Sequence, residues 1–226
     1  MYRKYSFVLL FALMLFPGLF SQDENRSPFN AGADIFSSYI WRGTKCGSGP
    51  AIQPRLEFNS GFFTAGAWGS FDFSGYQETD LYVSFSLPAG FSAGINDYYY
   101  PDMDFFDLSD TTGSHAFEIN LGFTVKSLEL NAGYVINRSG IIGSKGGDKY
   151  IEIRYSFDSF SLFVGAGDGW HTLNTTDGKD RFAICNIGLG TKRTIKVTDC
   201  FNIPVTGQLI FNPDLKHMYV VAGFTF

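Results

Sequence analysis

The sequence contains few of the residues that supply catalytic and metal-binding chemistry. Its 226 residues include three histidines and three cysteines, and charged residues account for 17% of the chain. The histidines are scattered, and neither a CxxC nor an HExxH spacing occurs, so no ready set of zinc ligands is present. We therefore expect no metal site and no cofactor.

Long apolar runs are also scarce. The longest, residues 7–16, follows Arg3 and Lys4 and is too short for a transmembrane helix, which needs about 20 apolar residues. A short apolar run behind basic residues is typical of a cleavable secretory signal. We predict a signal peptide over residues 1–21, cleaved after Ser21, and one mature domain over residues 22–226.

Positive charge is limited too. Without the signal peptide, fifteen Lys and Arg stand against twenty-two Asp and Glu, which leaves about seven net negative charges at neutral pH. Nucleic acid attracts proteins that carry basic surfaces. We therefore expect no nucleic-acid partner.

Alternation of apolar and polar residues is abundant. Residues 117–123 and 128–136 show it most clearly, with Phe, Ile, Leu and Tyr on one face and Glu, Asn and Gly on the other. The mean hydropathy is neutral, as expected where only alternate residues meet lipid. The pattern predicts an all-β fold, a transmembrane antiparallel β-barrel.

About twelve candidate strands have the length of about 9 to 11 residues that crosses a bilayer at a tilt. Tight turns are predicted near residues 59–61, 87–90, 125–127, 158–159 and 190–193, and longer loops near residues 43–50, 72–78, 100–113, 137–148, 168–180 and 212–215. Short periplasmic turns that alternate with long external loops are typical of outer-membrane barrels. Ten or fourteen strands are the alternatives, because the first strand and residues 194–212 are poorly phased.

The last strand, residues 217–226, has the form of a barrel-closing strand that ends on an aromatic ring. One face carries only apolar side chains: Met218, Val220, Ala222, Phe224 and Phe226. We predict an outer-membrane location in lipid, with Phe224 and Phe226 as the signal for the barrel-assembly machinery. Aromatic residues near strand ends predict interfacial girdles: Trp41, Phe71, Tyr98, Tyr99, Tyr155 and Phe157. The alternative is a secreted sandwich or lipocalin-like barrel.

Four segments resemble the TorF-type porin family, Gcw_chp. Residues 33–43 and 49–54 are similar to the S-x-Y-x-[FW]-R-G strand and the G-P-A-[IL]-Q loop that open its members. Residues 61–70 and 78–82 are similar to its G-F-Y-x-G-x-W-x-S and E-x-D-x-Y segments. The resemblance covers the first third of the chain. It implies a small outer-membrane barrel and a pore, with no known substrate or catalytic residues.

The polar strand faces predict which charged residues line the lumen. The pore-lining candidates are Arg42, Arg55, Glu57, Asp80, Glu118, Glu129, Glu152 and Arg154, with Asp34 as a further acid. Excess carboxylates would favour cations or neutral solutes. The alternative is a satisfied network of arginines and acids that fills the lumen.

The third external loop is rich in aspartate. Asp102, Asp104, Asp107 and Asp110 surround two adjacent phenyl rings, and the loop would form a constriction if it folded into the mouth. Calcium is a second interpretation, although the glycine and terminal Glu of an EF-hand are missing. An ordinary solvated loop is the third.

Together these observations predict a porin-like channel for the passive diffusion of small hydrophilic solutes or ions, with a mild preference for cations. The alternatives are a sealed structural or adhesive surface barrel and a lipid-modifying enzyme, for which His171 would be the loop histidine to test. We expect no enzymatic activity. Cys185 and Cys200 are predicted either to pair or to remain buried thiols, and Cys46 is expected to be exposed.

Overall fold

The chain folds into a closed antiparallel barrel of twelve strands. The structure is a computed structural model that describes residues 27–172, 181–199 and 201–226. The predicted signal peptide, residues 1–21, lies outside the described residues. Within the described ranges, no helix has the length and apolar character needed to span a membrane.

The described residues form sixteen strands. In chain order they are β1 (Phe29–Phe36), β2 (Tyr39–Trp41), β3 (Thr44–Cys46), β4 (Ala51–Ser60), β5 (Phe63–Asp72), β6 (Gln77–Ser86), β7 (Phe91–Tyr99), β8 (His115–Val125), β9 (Leu128–Val135), β10 (Arg138–Ser139), β11 (Ser144–Lys145), β12 (Lys149–Ser156), β13 (Ser161–Gly167), β14 (Ala183–Lys196), β15 (Asn202–Asn212) and β16 (His217–Thr225). Strands β2 with β3 and β10 with β11 form two short hairpins that are not part of the barrel wall, and short 3-10 turns occupy Pro88–Gly90 and Gly169–His171.

The twelve wall strands follow one another around the barrel in sequence order. Tight connections of two to five residues join them at one end, here called the turn end, and the two short hairpins lie among the connections at the other end, the loop end. Both ends of the described barrel, at β1 and β16, therefore lie at the turn end. Closure gives each wall strand a partner on both sides, as lipid requires of every backbone amide and carbonyl.

The two faces of the wall differ in polarity as the alternation predicts. Leu121 and Ile153 face outward and are 56% and 48% exposed, while Glu118 and Tyr98 face inward and are buried. The same alternation holds in β16, where Met218 and Val220 are exposed and Val221 is buried. The apolar exterior and polar interior are those of a transmembrane barrel.

The seam between β1 and β16 is the shortest pairing in the wall. Its register joins three residue pairs, from Asp34 with Thr225 to Phe36 with Gly223, and two backbone hydrogen bonds between Ala33 and Phe226 extend it. By comparison, β14 and β15 pair over ten residue pairs.

The predicted turn at residues 190–193 is wrong. Strand β14 continues to Lys196, which pairs with Asn202, and the chain reverses only over residues 197–201. Residues 192–196 are exposed, so this polar segment extends the strand beyond the apolar band into water. A polar strand extension and a turn have similar composition, which explains the misplaced boundary.

The first strand also ends earlier than the family motif implies. Strand β1 ends at Phe36, and residues 37–43 leave the wall to form the first half of the β2–β3 hairpin. Two residues predicted to lie in the aromatic girdles are therefore misassigned: Trp41 belongs to this hairpin, and Tyr98 faces inward and is 6% exposed. Phe71, Tyr155 and Phe157 are exposed on the outside, as a girdle requires.

The outward position of Ile153 can be tested with a charged residue. We expect Ile153→Arg to lower the free energy of unfolding by about 2–4 kcal/mol, because arginine near the bilayer midplane loses hydration. Asp158→Arg is the matched control, since Asp158 is exposed in the turn that follows the same strand. Urea unfolding in lipid vesicles, followed by tryptophan fluorescence, measures both. Equal stability of the two variants would place residue 153 away from lipid.

Candidate functional site

The β2–β3 hairpin presents Arg42 at its tip. Tyr39 pairs with Cys46 and Trp41 with Thr44, which leaves Arg42 and Gly43 as the two turn residues. Their φ angles are 49° and 84°, as a type I′ turn requires at both central positions. Glycine adopts this conformation at little cost, whereas arginine does not. The strained residue is therefore the one that carries the charge.

Contacts with the wall hold the hairpin inside the barrel. The side-chain amide of Asn212 donates to the carbonyl oxygen of Gly43 at 3.0 Å, and a Cβ atom on Gly43 would lie 2.0 Å from the carbonyl oxygen of Cys185. Ile40 packs against the inward-facing cluster of Phe163, Ile210 and Val221. The hairpin thus fills part of the lumen at the loop end.

Arg42 forms a bidentate ion pair with Glu118 of β8. The two distances are 2.6 Å from Nη1 to Oε1 and 2.9 Å from Nη2 to Oε2, and the Glu118 side chain has no exposure to solvent. Tyr98 donates its hydroxyl to Oε2 of Glu118 at 2.9 Å. Both carboxylate oxygens are therefore satisfied, which a buried charge requires.

Aromatic rings surround the Arg42 guanidinium. Its Cζ atom lies 4.8 Å from the ring centroid of Trp41 and 4.4 Å from that of Tyr150, both within the range of a cation–π contact. His171 approaches from the loop after β13, and its Nε2 atom accepts from Nη1 of Arg42 at 3.4 Å. This acceptor role places the proton of a neutral imidazole on Nδ1.

His171 lies in a loop, as the sequence predicts, and this loop places it inside the mouth of the barrel, where it is 2% exposed. It belongs to the loop after β13, outside the strands that cross the membrane. Burial is the main cause that lowers the pKa of His171 to about 2, and the positive charge of Arg42 acts in the same direction. The imidazole is therefore neutral at physiological pH.

Three apolar side chains from different loops pack together in the mouth next to Arg42. Trp41, Ile142 and Trp170 pack against a buried cluster formed by the wall residues Tyr98, Ala116 and Val135. Asp148 links two of these loops, because it accepts from the backbone amide of Trp170 at 3.1 Å and from the Ser144 hydroxyl at 2.7 Å. These side chains narrow the loop end near Glu118.

Two more predicted lumen residues extend the network below Arg42. Glu152 accepts from Arg154 at 3.0 Å and from the Tyr150 hydroxyl at 2.7 Å, and Asn186 donates to both Glu152 and Tyr150 at 3.0 Å. Because the Tyr150 ring also contacts the Arg42 guanidinium, the network of polar contacts extends from the hairpin tip toward the turn end.

Other predicted lumen residues lie apart from this network. Arg55 pairs with Asp34 at 3.2 Å, and Glu57 accepts from the Tyr82 hydroxyl at 2.6 Å. Asp80 accepts from Asn96 at 3.2 Å. Glu129 lies directly across from Arg154 in the register of β9 with β12.

Four lumen carboxylates have no ion pair among the described residues: Glu57, Glu78, Asp80 and Glu129. Glu78 was missed as a lining residue, although its spacing of two from Asp80 on β6 gave a signal. It is 2% exposed and accepts a short hydrogen bond from the Tyr76 hydroxyl. Tyr98 and Tyr150 are also absent from the predicted lining. Each lies two positions from another lumen residue, Tyr98 from Asn96 and Tyr150 from Glu152, and therefore shares its face of the strand.

A cavity of about 400 Å³ lies on the turn side of Arg42. Its lining combines apolar side chains with a polar set that includes Arg42, Tyr82, Asn96, Asn120, Tyr150 and Glu152. The guanidinium and the Tyr150 ring therefore form part of the surface that a solute in this cavity would meet.

The aspartate-rich loop is attached to the outer face of the wall. His115 faces outward on β8, and its Nε2 atom contacts the carbonyl oxygen of Phe105 at 2.7 Å while Nδ1 contacts Asp97 at 2.8 Å. Among the four candidates, Asp102, Asp104 and Asp110 are exposed. Hydrogen bonds from Thr112 and Ser109 lower the pKa of Asp107.

The described residues contain no group of three His, Cys, Asp or Glu placed to hold a metal ion. Residues 90–94 spell Gly-x-Ser-x-Gly, but Ser92 lies within β7 and lines the cavity, whereas a nucleophile elbow needs a strand-to-helix turn. His217 contacts Tyr219 at 3.2 Å.

Cys185 is a free, buried thiol, and Cys46 is free and half-buried rather than exposed. Cys200 lies outside the described residues, so its predicted pairing with Cys185 stays a prediction.

The Arg42–Glu118 pair generates a stability prediction. Arg42→Met should lower the free energy of unfolding by about 3–5 kcal/mol, because it leaves a buried carboxylate without a cation. Arg42→Met combined with Glu118→Leu should cost much less, as both charges are gone. Lys149→Met is the control, since this lysine is 58% exposed in its pair with Asp168 and should change stability by less than about 1 kcal/mol. Additive effects at Arg42 and Glu118 would contradict the pairing.

The lowered pKa of His171 predicts a pH effect. Unfolding restores an ordinary histidine pKa of about 6.5, so below that pH the unfolded chain binds a proton that the folded chain does not. Stability should fall as pH decreases from about 6.5, with a slope of up to about 1.4 kcal/mol per pH unit from this group. His171→Gln should show a shallower decline between pH 6 and 4. A decline for His171→Gln that is as steep as that of the wild type would refute the prediction.

Comparisons with known proteins agree with the resemblance in the opening segments. No curated protein matches the sequence. A triply substituted porin of Rh. blastica is a similar solved structure, with 10% identity, 78% of this chain and 55% of that chain covered, and a TM-score of 0.40. Acinetobacter baumannii OccAB3 shows 10% identity, 89% and 65% coverage, and a TM-score of 0.38. The chain thus spans less than two thirds of either protein. The model of the family Gcw_chp, a bacterial protein of unknown function, matches residues 22–199, and the chain belongs to this family.

Proposed function

We propose that the protein is an outer-membrane channel for the passive diffusion of small hydrophilic solutes or ions, with a mild preference for cations. Its surrounding partner is outer-membrane lipid, and the barrel-assembly machinery would recognise Phe224 and Phe226 on the last strand. The observation that carries the proposal is the excess of lumen carboxylates. Glu57, Glu78, Asp80 and Glu129 lack ion pairs among the described residues, and of these Glu57 and Glu129 are partly exposed while Glu78 and Asp80 are buried.

The charge balance favours a water-filled lumen over a fully packed one. A barrel filled only for stability would pair its interior charges or replace them with apolar residues, since an unpaired charge needs water. Glu57 and Glu129 are only partly buried and lie in the half of the barrel nearer the turn end. Fixed carboxylates in a narrow pore attract cations and repel anions.

We assign the constriction to the β2–β3 hairpin. Arg42 lies in the lumen against Glu118, whereas the aspartate loop is held to the outer face through His115 and Phe105. The hairpin would thus set the conductance, and the aspartates would contribute little to it.

A sealed surface barrel is the second candidate. The packing of Trp41, Ile142 and Trp170 at the mouth favours it, because a barrel closed at one end conducts nothing. The two candidates differ in whether removal of the hairpin opens a path.

Single-channel recording in a planar lipid bilayer under a KCl gradient separates the candidates. We expect a small cation-selective conductance from the wild type. A larger one is expected when residues 39–46 are replaced by a short Gly-Ser linker, because the lumen obstruction is removed. Neutralisation of the exposed Asp102 and Asp110 to Asn should leave the conductance unchanged. A folded barrel that shows no conductance with or without the hairpin would contradict the channel proposal and favour the sealed barrel.

Selectivity is measured in the same experiment. Glu57→Gln combined with Glu129→Gln should shift the reversal potential toward the value of an unselective pore, because both carboxylates face the lumen. An unchanged reversal potential would remove them from the conduction path.

A further inference from the structure

The groups that hold the Arg42 side chain come mostly from outside its own hairpin. Glu118 lies on β8, Tyr98 on β7 and Tyr150 on β12, while His171 belongs to the loop after β13. Together they present a buried carboxylate and an aromatic face to one planar cation. Because these residues belong to the wall and to another loop, the pocket would persist if the hairpin tip were withdrawn.

We propose that this pocket is a binding site for small solutes that carry a guanidinium group, and that Arg42 occupies it as a tethered ligand. The assignment deepens the proposed channel, on which its transport consequence rests, by naming the class of solute that the lumen selects. In the absence of solute, Arg42 blocks its own site.

The chemistry of the pocket distinguishes guanidinium from other cations. Glu118 receives two parallel hydrogen bonds, at 2.6 and 2.9 Å, from different nitrogen atoms of one guanidinium. The Tyr150 ring, 4.4 Å from Cζ, lies within cation–π range. A planar, forked cation satisfies both contacts at once, whereas an ammonium is a compact point charge that cannot match the fork.

The pocket is also accessible and its present ligand is strained. Arg42 and Tyr150 line the cavity of about 400 Å³, and the Arg42 side chain is 16% exposed while Glu118 is fully buried behind it. A solute in the cavity therefore meets the guanidinium before the carboxylate. Arg42 has a φ of 49° at the hairpin tip, which costs free energy for a residue other than glycine, and a rearrangement that withdraws the tip would relieve this strain.

The direct test is chemical rescue of a vacated site. Folded Arg42→Ala protein in detergent micelles is titrated by calorimetry with methylguanidinium chloride or methylammonium chloride at constant ionic strength. We expect saturable binding of methylguanidinium that is about tenfold or more tighter than that of methylammonium. Arg42→Ala combined with Glu118→Gln should lose it. Equal binding of the two cations, or binding that survives Glu118→Gln, would overturn the proposal.

If Arg42→Ala does not fold without an added cation, the yield of refolding provides a second test. The variant is then refolded into vesicles with each cation at the same low concentration, and the folded fraction is read from heat-modifiable gel migration. Methylguanidinium should raise the yield and methylammonium should not. Failure of both cations to raise it would count against the site.

A bi-ionic recording with wild-type protein tests the transport consequence. With methylguanidinium chloride on one side and potassium chloride on the other, the reversal potential should show methylguanidinium as the more permeant cation, and Glu118→Gln should reverse that order. Binding without conductance would refute the channel and leave the site intact. Conductance without methylguanidinium binding would refute the site and leave the channel intact.

Discussion

The carboxylate of Glu118 has no contact with solvent, and the organisation of the lumen follows from the need to neutralise it. A buried carboxylate requires a cation and a full set of hydrogen bonds, and Arg42 and Tyr98 supply them. To bring Arg42 there, the chain leaves the wall after Phe36 and folds a hairpin inward. The wall accommodates that hairpin through Gly43, which fits against Cys185 where a larger residue would clash. One ion pair thus explains the entry of a loop into a barrel whose other strands follow a simple meander.

The wall and the lumen obey different constraints. Lipid requires complete backbone pairing and an apolar outer face, and neither demand depends on which polar residues point inward. The interior is therefore free to carry chemistry without loss of the fold. In this protein it carries paired arginines at three levels, Asp34–Arg55, Arg42–Glu118 and Glu152–Arg154, together with carboxylates that have no such partner among the described residues. Of those carboxylates, Glu57 and Glu129 are partly exposed, whereas Glu78 and Asp80 are buried.

Alternation along single strands predicted the barrel because each wall residue is constrained by its own position relative to lipid. Strands β8, β9 and β12 alternate as expected, and their lumen-facing residues Glu118, Glu129 and Glu152 were identified from that pattern alone. The predicted turn at residues 190–193 is wrong because polar residues show where a strand leaves lipid. They do not show where its hydrogen bonding to the neighbouring strand ends. The hairpin was missed for another reason: Tyr39 and Trp41 alternate like wall residues, and the sequence does not show that Arg42 and Gly43 both adopt positive φ. The partnership of Arg42 with Glu118 and His171 joins residues 76 and 129 positions apart, a distance over which strand periodicity carries no information.

The short seam between β1 and β16 has a consequence for the order of assembly. Its paired residues lie about 190 positions apart in the chain, whereas every other wall pairing joins consecutive wall strands. The entropy lost on closing a loop grows with its length, so the seam is the slowest contact to form and the neighbouring hairpins form before it. The seam joins three residue pairs. These pairs form after the rest of the sheet has curved far enough to bring β1 and β16 together. Until the seam forms, β1 and β16 are both unpaired edge strands, which are prone to pair with other chains.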